Sequence, residues 1–251
     1  MTAADADRLR RKKTRLDVLR PLSPASLEAL AAWYDVELTY TSNAIEGNTL
    51  TRSETAIVLE KGITIGGKPL KDHLEALGHR DALGFVRALA QAGEKVREID
   101  LREIHRLIMT RLDPEEAGRY STHQRAIAGS PLVLPSPAEI PPLMGDFAAW
   151  LSTAEAGPET AFEAHLRVVS VHPFSDGNGR AARLLMNLLL LQAGYPPVVT
   201  GPEHRAAYID ALQAVQLRGD PEPYARFMAE RLEASLDHHI EMLERATGSS
   251  A

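Results

Sequence analysis

Apolar residues recur along most of the chain at spacings of three and four, the period of helices with one buried face. Leu27, Leu30, Ala31, Tyr34, Leu38 and Ile45 predict a helix running to about Glu46, capped by Ser23-Pro24 or Ser26, with Glu28 in its first turn. Gly47 stands where a left-handed residue ends helices. Thr49 or Thr51 caps a short helix, with Glu54 at the capping-box spacing from Thr51, and that helix ends near Gly62. Residues 62–69 read as a turn-rich connector with room for a small hairpin. A long helix over 70–90 carries Leu74, Leu77, Ala82, Phe85, Val86 and Leu89, while Gly78 and Gly84 weaken it and mark close helix packing. Asp100 is expected to cap the next, with Glu103 in the capping-box place, and further helices are expected over 140–152, 159–171, 179–193, 202–217 and 221–245.

Two stretches break the period. Residues 118–142 scatter Thr122, Ile127, Val133 and Leu134 among glycine, serine and proline, and are the one place where an exposed β-hairpin is expected. Residues 1–22 are polar and basic, read as a poorly ordered arm or a short helix, and the tail over 246–251 is expected to fray. The predicted fold class is all-α, a helical bundle with a short β-hairpin flap. Its parts are the arm 1–22, an N-terminal helical region 23–97, a core 98–245 and the tail.

Composition narrows the chemistry. The 251 residues suffice for a large core without staples, and the absence of cysteine excludes disulfides and thiolate metal sites. A net charge of −6 argues against a surface that coats nucleic acid, so Arg8, Arg10, Arg11, Lys12 and Lys13 read as a solvated helix face. No apolar run is long enough to span a bilayer and no signal-peptide core opens the chain, which makes a cytoplasmic protein without a membrane partner the expectation.

The candidate chemistry lies in His172-Pro173-Phe174-Ser175-Asp176-Gly177-Asn178-Gly179-Arg180-Ala181-Ala182-Arg183. A Gly177-Asn178-Gly179 turn opening a helix aims backbone N–H groups at one point, a concavity suited to phosphate. Arg180 and Arg183, three apart, lean over the same face with planar forks that match phosphate oxygens. Asp176 suits Mg²⁺, which bridges substrate phosphates through one or two carboxylates. His172 can accept the proton of an attacking hydroxyl, and Phe174 anchors the loop.

This stretch resembles the signature of the Fic family: histidine-proline-phenylalanine, then glycine-asparagine-glycine-arginine and a second arginine three positions on. The resemblance implies a helical Fic domain that moves AMP from ATP to a protein hydroxyl. His172 would be the general base, Asp176 the Mg²⁺ ligand, Gly177, Asn178 and Gly179 the anion hole, and Arg180 and Arg183 the phosphate ligands. Gly118-Arg119-Tyr120 and the segment on to about Leu134 resemble the family's flap, which pins a target segment by strand addition, with Thr122, His123 and Gln124 as candidate contacts. Leu184 to Asn187 and Gly194 to Pro197 look like the family's core, and Tyr208 with residues 216–220 resembles the wall of its adenine pocket.

Ser42-Asn43-Ala44-Ile45-Glu46-Gly47 is similar to the inhibitory motif of Fic proteins. Ser42 and Glu46, four apart, share a helix face. The resemblance implies that Glu46 pairs with Arg183 where the γ-phosphate belongs, so that inhibition is intramolecular. It leaves open removal of AMP with Glu46 positioning water, transfer of another phosphate-containing group, and a catalytically silent interaction module. Self-modification and a homodimer are further expectations.

Overall fold

The computed structural model describes residues 1–21, 24–127 and 129–248. Ten α-helices order these residues: α1 (Ala3–Val18), α2 (Pro24–Ile45), α3 (Arg52–Lys61), α4 (Leu70–Ala92), α5 (Glu98–Met109), α6 (Ile140–Thr153), α7 (Pro158–Val171), α8 (Asn178–Gln192), α9 (Arg205–Arg218) and α10 (Glu222–Gly248). A short 3-10 turn, Pro202–His204, leads into α9.

α8 is the axis of the molecule. Beyond Arg183 it is apolar around nearly its whole circumference, so it has no face to offer water and must lie inside other helices. α7, α4 and α5 enclose it, and twelve of its fifteen residues are buried. α4 crosses α5 at close range because Gly78 has no side chain, and a Cβ there would lie 2.5 Å from the Ile108 carbonyl oxygen. α2 lies across α4 and α3. Its residues Leu30, Tyr34 and Leu38, one turn apart, enter the main core, and Ser42 and Glu46 continue the same stripe. Leu50, Val58, Leu59 and Ala76 form a smaller core between the turn after α2, α3 and α4.

Most predicted helices form within a residue or two of their expected bounds, including the Thr51–Glu54 capping box and the left-handed Gly62 that ends α3. Of the two readings for the beginning of the chain, the helix is the one that forms, 16 residues long. Leu9 and Leu16 are buried, and Arg8, Lys12 and Arg15 meet Glu233, Asp237 and Glu244 of α10, so the basic face is answered by an acidic one. α5 starts at Glu98, three residues early, and Asp100 reaches back to accept the Arg97 N–H at 2.7 Å. Glu103 pairs with Arg106 instead of capping. No hairpin is present among the described residues, either at 62–69 or in the expected flap. Residues 118–139 are irregular there, since Pro131, Pro135 and Pro137 have no N–H to give a ladder. The expected cap at Ser23 and the last residues of the tail, 249–251, lie outside the described residues.

Candidate active site

α7 ends at His172, whose backbone turns left-handed (φ 53°) while its N–H closes on the Val168 carbonyl at 2.8 Å. The loop beyond it is locked from within. Phe174 is fully buried and stacks on His105, ring centroids 3.7 Å apart. The Asn178 side chain accepts the Phe174 N–H at 2.9 Å and donates to the Phe174 carbonyl at 2.8 Å. His105 accepts the Gly118 N–H on Nδ1 at 2.9 Å, so its hydrogen sits on Nε2 and is donated to the Asp176 carbonyl at 2.9 Å. Burial holds this imidazole down at about 4, so it stays neutral. Gly177 is left-handed (φ 72°), and a Cβ there would press on the Met109 sulfur at 3.2 Å.

α8 therefore begins at a fixed point, with the N–H groups of Asn178, Gly179 and Arg180 unpaired among the described residues. Glu46 is set directly over them. Its Oε1 would lie 2.4 Å from a Cβ at Gly179 and accepts from Arg183 Nη2 at 2.8 Å. Arg183 also donates from Nε to Ser42 Oγ (3.0 Å) and from Nη2 to the Ser42 carbonyl (2.8 Å), so it grips the end of α2 at both motif positions. Burial acts to raise the Glu46 carboxyl, but Arg183 and Arg180 outweigh it and hold the group below its ordinary value. Arg180 is buried between Glu75 (3.2 Å) and Asp176 (3.4 Å), and its Nε has no hydrogen-bond partner.

Asp176 itself accepts the Gly177 N–H at 2.6 Å. Burial would raise its carboxyl, yet Arg180, that N–H and Lys71 leave it lowered, and therefore ionised. Burial lowers the His172 imidazole, with the Val169 carbonyl opposing and Arg125 adding to the shift. A cavity of about 180 Å³ joins His172, Gly179, Arg183 and Glu46 to Tyr208, Leu212 and Gln216. Tyr208 is buried, and its hydroxyl meets His165 Nε2 at 2.8 Å beneath the cavity. The segment after Gly118 lies along the loop: the Ser121 N–H donates to the Pro173 carbonyl (2.9 Å) and Arg125 to the Phe174 carbonyl (3.1 Å). Thr122, His123 and Gln124 are exposed, and it is Ile127 and Ser130 that reach the cavity.

Residues 95–190 match the Fic/DOC family. A solved structure of Fic-1 from Caenorhabditis elegans superposes with a TM-score of 0.83 at 34% identity, over 99% of this chain and 74% of that one. The chain belongs to the Fic/DOC family. A Fic-domain signaling protein from Bacteroides thetaiotaomicron superposes with a TM-score of 0.87 at 28% identity, covering 94% of this chain and 97% of that one. The protein adenylyltransferase Fic of Aedes aegypti is 36% identical over 243 residues, 94% of this chain and 48% of that protein. The chain thus spans about half the length of the curated relatives of this kind.

Around the Fic loop, four residues shape the site without any signal in the sequence pattern. His105 holds the loop from below and Glu75 holds Arg180. Asn48, just past the motif, donates to Glu75 at 2.9 Å. Arg205 donates to the Ile45 carbonyl at 2.8 Å, closing the end of α2 with a cation. Each lies on an element distant in sequence from the loop.

Proposed function

We propose that this protein transfers AMP from ATP to a Ser, Thr or Tyr hydroxyl of a target protein, its own chain included, and that Glu46 holds it inactive. The observation that carries this reading is the Glu46 carboxylate over the first turn of α8, paired with Arg183. That is the position where free N–H groups, the helix dipole and an arginine fork attract an anion, and Glu46 acts as a built-in substitute for a phosphate. The cavity beside it, about 180 Å³, is smaller than the roughly 300–1,000 Å³ usual for ligand sites. Withdrawal of Glu46 would open it toward His172 and Tyr208.

In the open site, the target hydroxyl oxygen would attack the α-phosphorus in line. Its proton passes to His172, which is neutral and lines the cavity. The bond from the α-phosphorus to the bridging oxygen breaks and pyrophosphate leaves, its charge held by Arg180, Arg183 and the α8 N–H groups. Asp176 fits Mg²⁺: the carboxylate is ionised, its side chain is 57% exposed, and it adjoins the anion cradle. No group of three or more His, Asp or Glu among the described residues could hold a metal alone, so this donor set suits an ion shared with substrate phosphates. Such an ion would neutralise phosphate charge during transfer.

Incubation with labelled ATP tests the reading. Glu46→Gly is expected to raise self-labelling well above wild type, and adding His172→Ala to abolish it. Unchanged labelling in Glu46→Gly would falsify the inhibitory role. A second reading, removal of AMP, is favoured by an ionised Glu46 in the same cavity as His172. Release from a pre-modified target by wild type but not by Glu46→Gly would support it.

A further inference from the structure

Behind the Glu46–Arg183 pair, α2, α4, α8 and the segment after α8 line a second, small space of about 10 Å³. That is room for one water molecule. Its lining is rich in polar groups: Thr41, Ser42, His79, Arg183, Asn187 and Thr200. His79 is 1% exposed, and its Nε2 has no hydrogen-bond partner, although Nδ1 meets Thr39 Oγ1 at 3.1 Å. Ser42 Oγ accepts from Arg183 Nε, but its own hydrogen reaches no acceptor among the described residues, and Thr200 lines the same space. A buried polar atom left unpaired is costly, and a polar cavity of this size fills with a water making two to four bonds.

We infer that one ordered water occupies this cavity, accepting the Ser42 hydroxyl hydrogen and donating to His79 Nε2, and that His79 is thereby a positioning residue for the Glu46–Arg183 clamp. The pattern of donors is self-consistent. Arg183 Nε–H points to Ser42, Ser42 to the water, the water to Nε2, and the His79 Nδ1–H to Thr39. Thr39 and Ser42 lie three apart on one face of α2. A single imidazole from α4 thus holds that face twice, directly at Thr39 and through water at Ser42. Burial, with Arg183 and Arg180 nearby, lowers His79 to about 3, so the ring remains neutral and Nε2 remains an acceptor.

The proposal rests on the inhibitory reading of Glu46, and its test separates the two. A high-resolution crystal structure of the full chain should show a water bonded to His79 Nε2 and Ser42 Oγ; an empty cavity overturns the site whatever the activity. His79→Leu and Thr39→Val, each alone and each combined with Glu46→Gly, are then compared by self-labelling at saturating ATP. The expected result is a rise of about three- to tenfold in the single variants and no further change in the Glu46→Gly background. An equal loss in both backgrounds indicates a merely structural role and overturns the assignment, as does unchanged labelling in both single variants. Should His79→Leu fail to fold, Thr39→Val carries the comparison. If Glu46→Gly does not exceed wild type, the inhibitory reading has failed and the crystallographic water still decides the site.

Discussion

His172 combines a left-handed backbone with an imidazole that burial holds below its ordinary value. The base form therefore persists to lower pH than in a free histidine. Self-labelling by Glu46→Gly should stay level as pH falls from neutral past 6.5 and decline only below it. Removing Glu46 takes away one of the charges that favour protonation, which moves the limb further toward acid. An acid limb centred above 6.5 in a pH–rate profile would show that another group controls the step. The residues of this loop were legible in the sequence because the histidine, the carboxylate, the turn and both arginines are contiguous. Glu75, His105 and Arg205 were not, because each acts across a helix contact that leaves no local spacing to read. Asn178 was legible as part of the turn, but its side chain closes the loop internally, so only its N–H remains for an anion.

At the level of helices, α4 offers a controlled comparison in its two glycines. A Cβ at Gly78 would run into the Ile108 carbonyl of α5, whereas Gly84 has nothing within 4 Å of its added Cβ. Gly78→Ala should cost about 1–3 kcal/mol or more in urea unfolding. Gly84→Ala should be neutral or stabilise by up to about 1 kcal/mol. Equal effects would mean that the α4–α5 crossing does not depend on that close approach. The helical period located nearly every element because each has one buried stripe, and errors arose where local pattern misleads. Scattered apolar residues in 118–142 suggested strands, but prolines deny the segment a hydrogen-bond ladder. Asp100 looks like a cap, yet it works from inside the first turn of α5, a shift of position that sequence composition cannot distinguish.

Over the whole molecule, four buried histidines couple stability to pH. Burial lowers His79 and His165 to about 3, and His105 and His239 to about 4. The unfolded chain takes up these protons near 6.5 while the folded chain does not, so acid favours unfolding. Stability should fall from about pH 6.5 toward 4, each such histidine contributing about 1.4 kcal/mol per pH unit. Thermal melts across that window check this, and a flat Tm would contradict it. The pairing of α1 with α10 belongs to the same scale: the basic residues near the start of the chain spend their charge on α10 carboxylates, which removes the main reason to expect nucleic-acid binding there.

The stripe along α2 has a genetic consequence. Leu30, Tyr34 and Leu38 anchor the helix in the core, and Ser42 and Glu46 at its far end meet Arg183, Glu46 about 24 Å from the first of them. One face of one helix therefore reaches both the core and the candidate site. A library of random variants selected for higher self-labelling should return substitutions at 30, 34 and 38 alongside those at 42 and 46. Loss of packing and gain of activity would be inherited as a single trait.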